Sequence, residues 1–398
     1  MGEAYGIVQL KAGVRRPAGH PWVFDGEVAP PDPAPAPGAL VRVVGAGGEA
    51  VGTGFWSPGS RARVRLLVEG AEEVGDLEGL LRSRLAAAVA MREAFGLGGP
   101  AGAARIAFGE SDGLPGLVAD RYGSVVVIQL TSTGMDGLRD TIVRLLADRL
   151  SPAAIVERSD TGGREREGLA PSRGLRHGAT PDRGLAPFSA GGLDLVADCL
   201  AGQKTGFYLD QRDSWEALRP LGAGRRILDV CCYTGAFGLS LLRGGGVALT
   251  GVDSSRRAVE LAREAAARNG LAERAAFLHG DAGETMAALS AAGERFGFVV
   301  LDPSAFAKAR AHAGMARRAY ATLNESALKL VGPGGFLYSC SCTPWVGAAG
   351  LTSLVMAAAR SASRRARLVE VRGASRDHPP HPAMPETAYL TGTLWYVE

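Results

Sequence analysis

From about residue 200 to the end of the chain, apolar runs of strand length alternate with amphipathic stretches of helical length, an order that few folds can accommodate. The strand-like runs are "RILDVCC", "VALTGVD", "AAFLHGD", "GFVVLDP" and "GFLYSCS". Between them stand "AFGLSLLRG", "SRRAVELAREAAARNG", "GETMAALSAAG" and "MARRAYATLNESALKLVG", where apolar residues recur at helical spacing. The rhythm predicts an α/β domain, a mostly parallel sheet with helices on both faces. Two later runs, "RLVEVRG" and "AYLTGTLWYV", bring the sheet to about seven strands. Sheets of this kind bind ligands at the carboxyl ends of their strands.

Those ends carry acids. The first strand runs through Asp229 into a turn with Gly235, and the next three finish at Asp253, Asp281 and Asp302. Any one Asp has an ordinary use as a helix N-cap. Carboxylates at successive strand tips across one crevice are more than capping requires. Asp253 stands about 20 residues beyond the Gly-bearing turn, the place from which a carboxylate accepts hydrogen bonds from both hydroxyls of a ribose. The turn "CYTGAFG" is not G-x-G-x-x-G, and the chain lacks G-x-x-x-x-G-K-[ST]. A nucleoside ligand without a phosphate cradle is therefore favoured over NAD or ATP, and S-adenosylmethionine (SAM) is such a ligand.

At roughly one domain per 150 residues, 398 residues suggest two or three domains. Residues 1–75 are short apolar runs broken by Gly and Pro, which predicts a small β-barrel or sandwich. In "SRARVRLL", Arg61, Arg63 and Arg65 alternate and on a strand share one face, either solvated or set against an RNA backbone. Residues 76–198 read as an α+β middle domain that opens with an amphipathic helix to about residue 97. From Thr161 to about Leu185 the Gly, Arg and Pro-rich text lacks periodicity and predicts a loop. Residues 199–398 form the α/β domain.

The net charge of +3 alone does not single out nucleic acid. No apolar run approaches the roughly 20 residues that span a bilayer, and there is no secretory leader, so a cytoplasmic protein without a membrane partner is expected. Five cysteines without regular spacing are unlike a secreted disulfide framework. Cys231, Cys232, Cys340 and Cys342 lack C-x-x-C spacing and lie on strands expected to be separated by another, so no metal is expected. Histidines 20, 378 and 381 flank prolines in loops and read as structural.

The segments "KTGFYLDQRDS", "VCCYTGAFGLSLL", "VDSSRRAVELAREAAARNG" and "YSCSC" resemble those of class I, Rossmann-like SAM-dependent methyltransferases. More narrowly, with "GHPWVFDGEV" and "GESDGLPGLVADRYG", the chain is similar to the large-subunit (23S) ribosomal RNA cytosine-5 methyltransferases that carry an N-terminal PUA domain, over nearly its whole length. The resemblance implies an RNA-binding PUA-like barrel at residues 1–75 and SAM as cofactor. It implies Cys340 as nucleophile in the "SCS" motif, with Asp302 beside it. Gln211, Arg212, Asp229, Tyr233, Thr234, Gly235, Phe237, Asp253, Ser254, Asp281, Ala282 and Asp302 then line the cofactor site. Pro303, Ser304 and Phe306 then meet the substrate, while Arg61, Arg63 and Arg65 on the barrel are candidate substrate contacts by their own alternation, with a solvated face as the other reading.

Carbon 5 of cytosine is too poor a nucleophile to take a methyl group directly. A thiolate adding to carbon 6 makes the ring enamine-like, and Cys suits this because its thiolate is strongly nucleophilic even when only slightly populated. The chain departs from the family at Asp302-Pro303-Ser304-Ala305-Phe306, where relatives read Asp-Pro-Pro-Lys-Phe and where Lys308 stands displaced. Three readings stay open: cytosine-5 methylation, methylation of a guanine nitrogen, and a non-catalytic RNA-binding or ribosome-assembly role. Pairing of two copies as a homodimer is open as well.

Overall fold

The computed structural model describes residues 5–306, 313–343 and 345–398, and divides them into two compact units. Lys308 lies outside the described residues. The first unit comprises residues up to Phe188 together with Ala197–Phe207 and Asp377–Thr387. The second comprises Ser189–Val196, Tyr208–Arg376 and Ala388–Glu398.

The first unit starts with β1 (Gly6–Gln9), β2 (Trp22–Phe24), β3 (Leu40–Val44), β4 (Ala50–Trp56) and β5 (Ala62–Glu69), in the sheet order β1-β3-β4-β5-β2. A bridge from Leu10 to Val28 ties the end of β1 to the residues after β2 and closes the ring around Val8, Val23, Val41, Val43 and Val64. Helix α1 (Leu77–Ala94) follows, its first turn capped by the Asp76 carboxylate, which accepts the Gly79 N–H at 2.9 Å. Then come β6 (Ala103–Phe108), β7 (Leu117–Tyr122), β8 (Val125–Leu130), α2 (Thr133–Gly137), α3 (Arg139–Leu150), β9 (Ala154–Ser159), α4 (Gly162–Glu165) and β10 (Ser172–Gly178).

The second sheet runs β10-β9-β8-β7-β6. Its strand β10 corrects the expectation of a loop over residues 161–185. This edge strand hydrogen-bonds β9 on one side only and is exposed along most of its length, so no apolar alternation marks it in the sequence. The returning segment Asp377–Thr387 is bound into this unit by buried polar contacts. Arg92, 0% exposed, forks onto the Asp112 carboxylate at 2.7 and 2.8 Å and donates to Asp377 O at 2.9 Å. Asp377 Oδ2 in turn accepts the Arg105 N–H.

Strands β11 (Leu185–Ala190) and β12 (Leu193–Asp198) pair with each other. The second unit then follows the alternating rhythm: α5 (Arg212–Leu218), β13 (Arg226–Val230), α6 (Ala236–Arg243), β14 (Ala248–Asp253), α7 (Arg256–Arg268), β15 (Ala275–His279), α8 (Ala282–Ala291), β16 (Phe296–Leu301), α9 (Ala313–Leu330), β17 (Val331–Ser341), α10 (Ala348–Ser361), β18 (Ala366–Arg372) and β19 (Thr391–Val397). The sheet order is β15-β14-β13-β16-β17-β19-β18, with β19 antiparallel to both neighbours. Strand β13 is central and buried from Ile227 to Val230, as a strand covered on both faces must be. The chain reverses direction across the sheet beside β13, so the carboxyl ends of β13, β14, β16 and β17 surround one crevice.

Candidate active site

The turn from β13 into α6 is unusually wound. Cys231, Tyr233 and Gly235 take positive φ of 62°, 49° and 79°. At Gly235 no other residue fits, because a Cβ would stand 2.8 Å from the Phe277 ring in a conformation that L side chains avoid. The Asp253 carboxylate holds this turn, with Oδ2 accepting the Tyr233 N–H and Oδ1 the Ser255 N–H, both at 2.8 Å. A carboxylate has about four acceptor positions, so lone pairs remain for a diol. Ser254 O lies 3.0 Å from His279 Nε2. Thr234 is buried, and its Oγ1 has no hydrogen-bond partner among the described residues. Tyr233 meets Tyr208 edge-on, ring centroids 5.0 Å apart.

The remaining acids divide by role. Asp281 caps α8 by accepting the Glu284 N–H at 3.0 Å, and Ala282 opens that helix. Asp229, only 1% exposed, accepts the Gly238 N–H at 2.8 Å and so anchors α6 to β13. Burial, reinforced by Asp302 and Asp253 and opposed by that hydrogen bond, pushes its carboxyl up to about 7. Arg212 is buried and lies 3.9 Å from the Asp213 carboxylate.

Beyond β16, Asp302 donates its N–H to Val230 O. Gln211 joins it to Cys340 near the end of β17, for the Gln211 Nε2 donates to Asp302 Oδ2 at 2.9 Å and to Cys340 Sγ at 3.2 Å. The Cys340 thiol is fully buried. Burial first and the Asp302 charge second push its pKa well above the ordinary thiol range, against the hydrogen bond from Gln211 that favours the thiolate. At rest the sulfur carries its proton. Cys342 Sγ lies 4.0 Å from Pro303 O. Ser304 is exposed, and Phe306 packs edge-on against Tyr320 at 4.9 Å.

A residue-family comparison matches residues 7–69 to a PUA-like domain and 187–390 to an S-adenosylmethionine-dependent methyltransferase. Among curated proteins, ribosomal RNA large subunit methyltransferase I of Aeromonas hydrophila is 36% identical over 94% of each chain. Its counterpart in Shewanella denitrificans is 37% identical over 97% of this chain and 98% of that one. The chain belongs to the ribosomal RNA large subunit methyltransferase I family. Two solved structures share its fold at TM-score 0.80 and 16% identity, covering 98% of this chain: one from Streptococcus mutans, assigned as a SAM-dependent methyltransferase, and one solved as a methyltransferase complex with S-adenosylhomocysteine.

SAM is the cofactor of this family, and the residues present fit it. Beside the Gly235 turn, Asp253 offers acceptors to hydroxyls, and the Thr234 hydroxyl is buried with nothing yet to bond. Gln211, Asp229, Asp253, Asp302 and Cys340 are thus gathered in the second unit, while Arg61, Arg63 and Arg65 belong to the first.

The structure departs from the expected arginine face at Arg65. Its guanidinium bonds Glu110 at 2.6 Å and Glu167 at 2.8 Å and lies over the Trp22 ring, with 11% of the side chain exposed. Its charge is spent inside the unit, since strand alternation gives a residue's face and not its partner. Arg61 is exposed, and Arg63 donates to Pro58 O beside Trp56. Histidines 20 and 381 accept backbone N–H groups of Trp22 and Ala383, and His378 pairs with Asp377, which suits structural roles. Among the described residues no cluster could hold a metal, and no helix is long and apolar enough to cross a membrane.

Sequence reasoning missed Tyr338 and Tyr208. Tyr338 stands two residues before Cys340 on the same face of β17, and its hydroxyl donates to Ser214 at 2.9 Å while its ring meets Phe237. The period-two rule applied backward from Cys340 would have found it.

Proposed function

We propose that this chain methylates carbon 5 of a cytosine in large-subunit ribosomal RNA, with Cys340 as nucleophile. One observation carries the reading: a single amide, Gln211, ties the thiol of β17 to the carboxylate after β16, an arrangement that suits a nucleophile with a proton-handling group beside it. The relatives, named as methyltransferases of that RNA, and the PUA-like segment support RNA as substrate. When bound, SAM supplies a methyl group made electrophilic by its sulfonium.

The residues do the rest. As the Cys340 sulfur bonds carbon 6, its proton passes to the Asp302 carboxylate, the acceptor that Gln211 holds beside it. Asp302 hydrogen-bonds the base edge as charge shifts onto the ring. Once carbon 5 is methylated, loss of its proton to water lets the carbon–sulfur bond break by elimination, and the departing sulfur takes back the proton held by Asp302, which returns Cys340 to its starting state. Ser304 is not a second thiol, so a single-nucleophile scheme follows. Tyr233, Thr234, Gly235, Phe237, Asp253, Ser254, Asp281 and Ala282 hold the cofactor in this reading. Residues 1–75 and 76–198 bring RNA, with Arg61 contacting backbone phosphate and Pro303, Ser304 and Phe306 beside the base, in a cytoplasmic setting.

The full burial of Cys340 is the observation that favours a guanine nitrogen instead, since that chemistry needs no thiolate. Trapping separates the two. Ribosomal RNA transcribed with 5-fluorocytidine should form a covalent adduct with the wild type in the presence of SAM. Cys340→Ala should form none and transfer no methyl group while binding SAM as before. Methyl transfer to cytosine by that variant would overturn the mechanism.

A further inference from the structure

We propose that Gln211 couples the nucleophile to recognition of the base: its Nε2 holds Cys340 and Asp302, and its Oε1 accepts a hydrogen bond from the exocyclic amine of the target nucleobase. This rests on the cytosine-5 reading. Gln211 closes a short 3-10 turn, Leu209–Gln211, just before α5, and is 7% exposed. Amide nitrogen and oxygen have the same shape, so their assignment comes from their partners. The partner at 2.9 Å is a carboxylate oxygen, an acceptor, which selects the nitrogen. The same nitrogen faces the sulfur at 3.2 Å.

That orientation commits the other end of the amide. Oε1 is buried and has no hydrogen-bond partner among the described residues. A carbonyl oxygen can be satisfied only by a donor, and a buried acceptor left unpaired is costly. Cytosine presents such a donor in its exocyclic amine, whereas uracil presents a carbonyl at the same position. A site built around an acceptor therefore takes one pyrimidine and rejects the other.

The nitrogen end acts on the thiol. The groups facing Cys340 are Asp302 beyond β16, Tyr338 on its own strand and Cys342 just past the end of that strand; Gly392, opposite it on β19, brings no charge. Burial and the Asp302 charge both hold the proton on the sulfur. An N–H donated by Gln211 stabilises the thiolate, so the amide works against them. One side chain then sets both the readiness of the nucleophile and the identity of the base, and Gln211 acts as a positioning residue toward Cys340.

The test uses the full chain carrying Gln211→Leu or Gln211→Glu, and RNA with 5-fluorocytidine or 5-fluorouridine at the position where the wild-type adduct maps. Adduct formation is followed from pH 6 to 10, and SAM affinity by calorimetry. Gln211→Leu should lose at least about tenfold of the preference for cytosine and move the rising limb of the pH profile upward, with SAM affinity within about threefold of wild type. Gln211→Glu keeps an acceptor but no donor. It should retain most of the preference while moving the pH limb further upward, a separation that a merely structural residue would not show. An unchanged preference and pH limb in Gln211→Leu would overturn the inference. So would a large loss of SAM affinity with the preference intact, which would assign Oε1 to the ammonium of the cofactor. Failure of the wild type to form any adduct would instead remove the cytosine-5 reading on which the inference stands.

Discussion

Replacing Asp229 by Asn should stabilise the second unit at neutral and alkaline pH and do little in acid. Asp229 is 1% exposed beneath the turn from β13 into α6, and burial pushes its carboxyl from 3.8 up to about 7. In the unfolded chain a carboxyl of this kind ionises near 3.9. Between those values the folded state binds more protons than the unfolded state, so stability falls as pH rises through the window. A shift of about three units at about 1.4 kcal/mol each amounts to about 4 kcal/mol above pH 7, and to nothing below pH 4. Asn keeps an oxygen for the Gly238 N–H and never ionises, and its buried N–H₂ replaces the buried O–H of the protonated acid at the cost of one extra N–H, so little changes in acid and the net gain above pH 7 should be about 2–3 kcal/mol. Urea unfolding of both proteins by circular dichroism, repeated from pH 4 to 8.5, gives the difference directly. It should climb between pH 4 and 7 and then level off. A difference independent of pH would refute the argument that burial raises the pKa of this carboxyl.

Two further substitutions test the turn and the barrel. Gly235→Ala puts a methyl 2.8 Å from Phe277 at φ 79°, which should cost about 1–2 kcal/mol in conformation alone and weaken SAM binding by at least about fivefold in calorimetry. Arg65→Met strands the Glu110 and Glu167 carboxylates, the latter with 1% of its side chain exposed, and should destabilise the first unit by about 3–5 kcal/mol in thermal melts. Arg61→Ala, an exposed change, should leave the melt unaltered and lower the salt dependence of RNA binding by about one ion.

What the sequence by itself determined is the part written in local period and end chemistry. The strands β13 to β17 and their helices fall where apolar alternation and helical spacing place them, since each element shows the core its own face. The acid-tipped strands were legible too, and so was a turn at Gly235 between a strand and a helix, whereas the need for glycine there came from its φ of 79° and the Phe277 ring. Tertiary structure alone decided what depends on partners distant in the chain. Strand β10 exists through its pairing with β9, not through any pattern of its own. Arg65 turns from a surface cation into the centre of an ion pair because residues 45 and 102 positions away deliver carboxylates to it. Asp281 and Asp229 read alike as strand-end acids, yet one caps a helix at the surface and the other is buried in the interior with its pKa raised to about 7. The meeting of Gln211 with Asp302 and Cys340, 91 and 129 residues apart in sequence, is of the same kind. Hydrogen bonding and desolvation depend on distances of a few ångströms, and only the folded chain sets those.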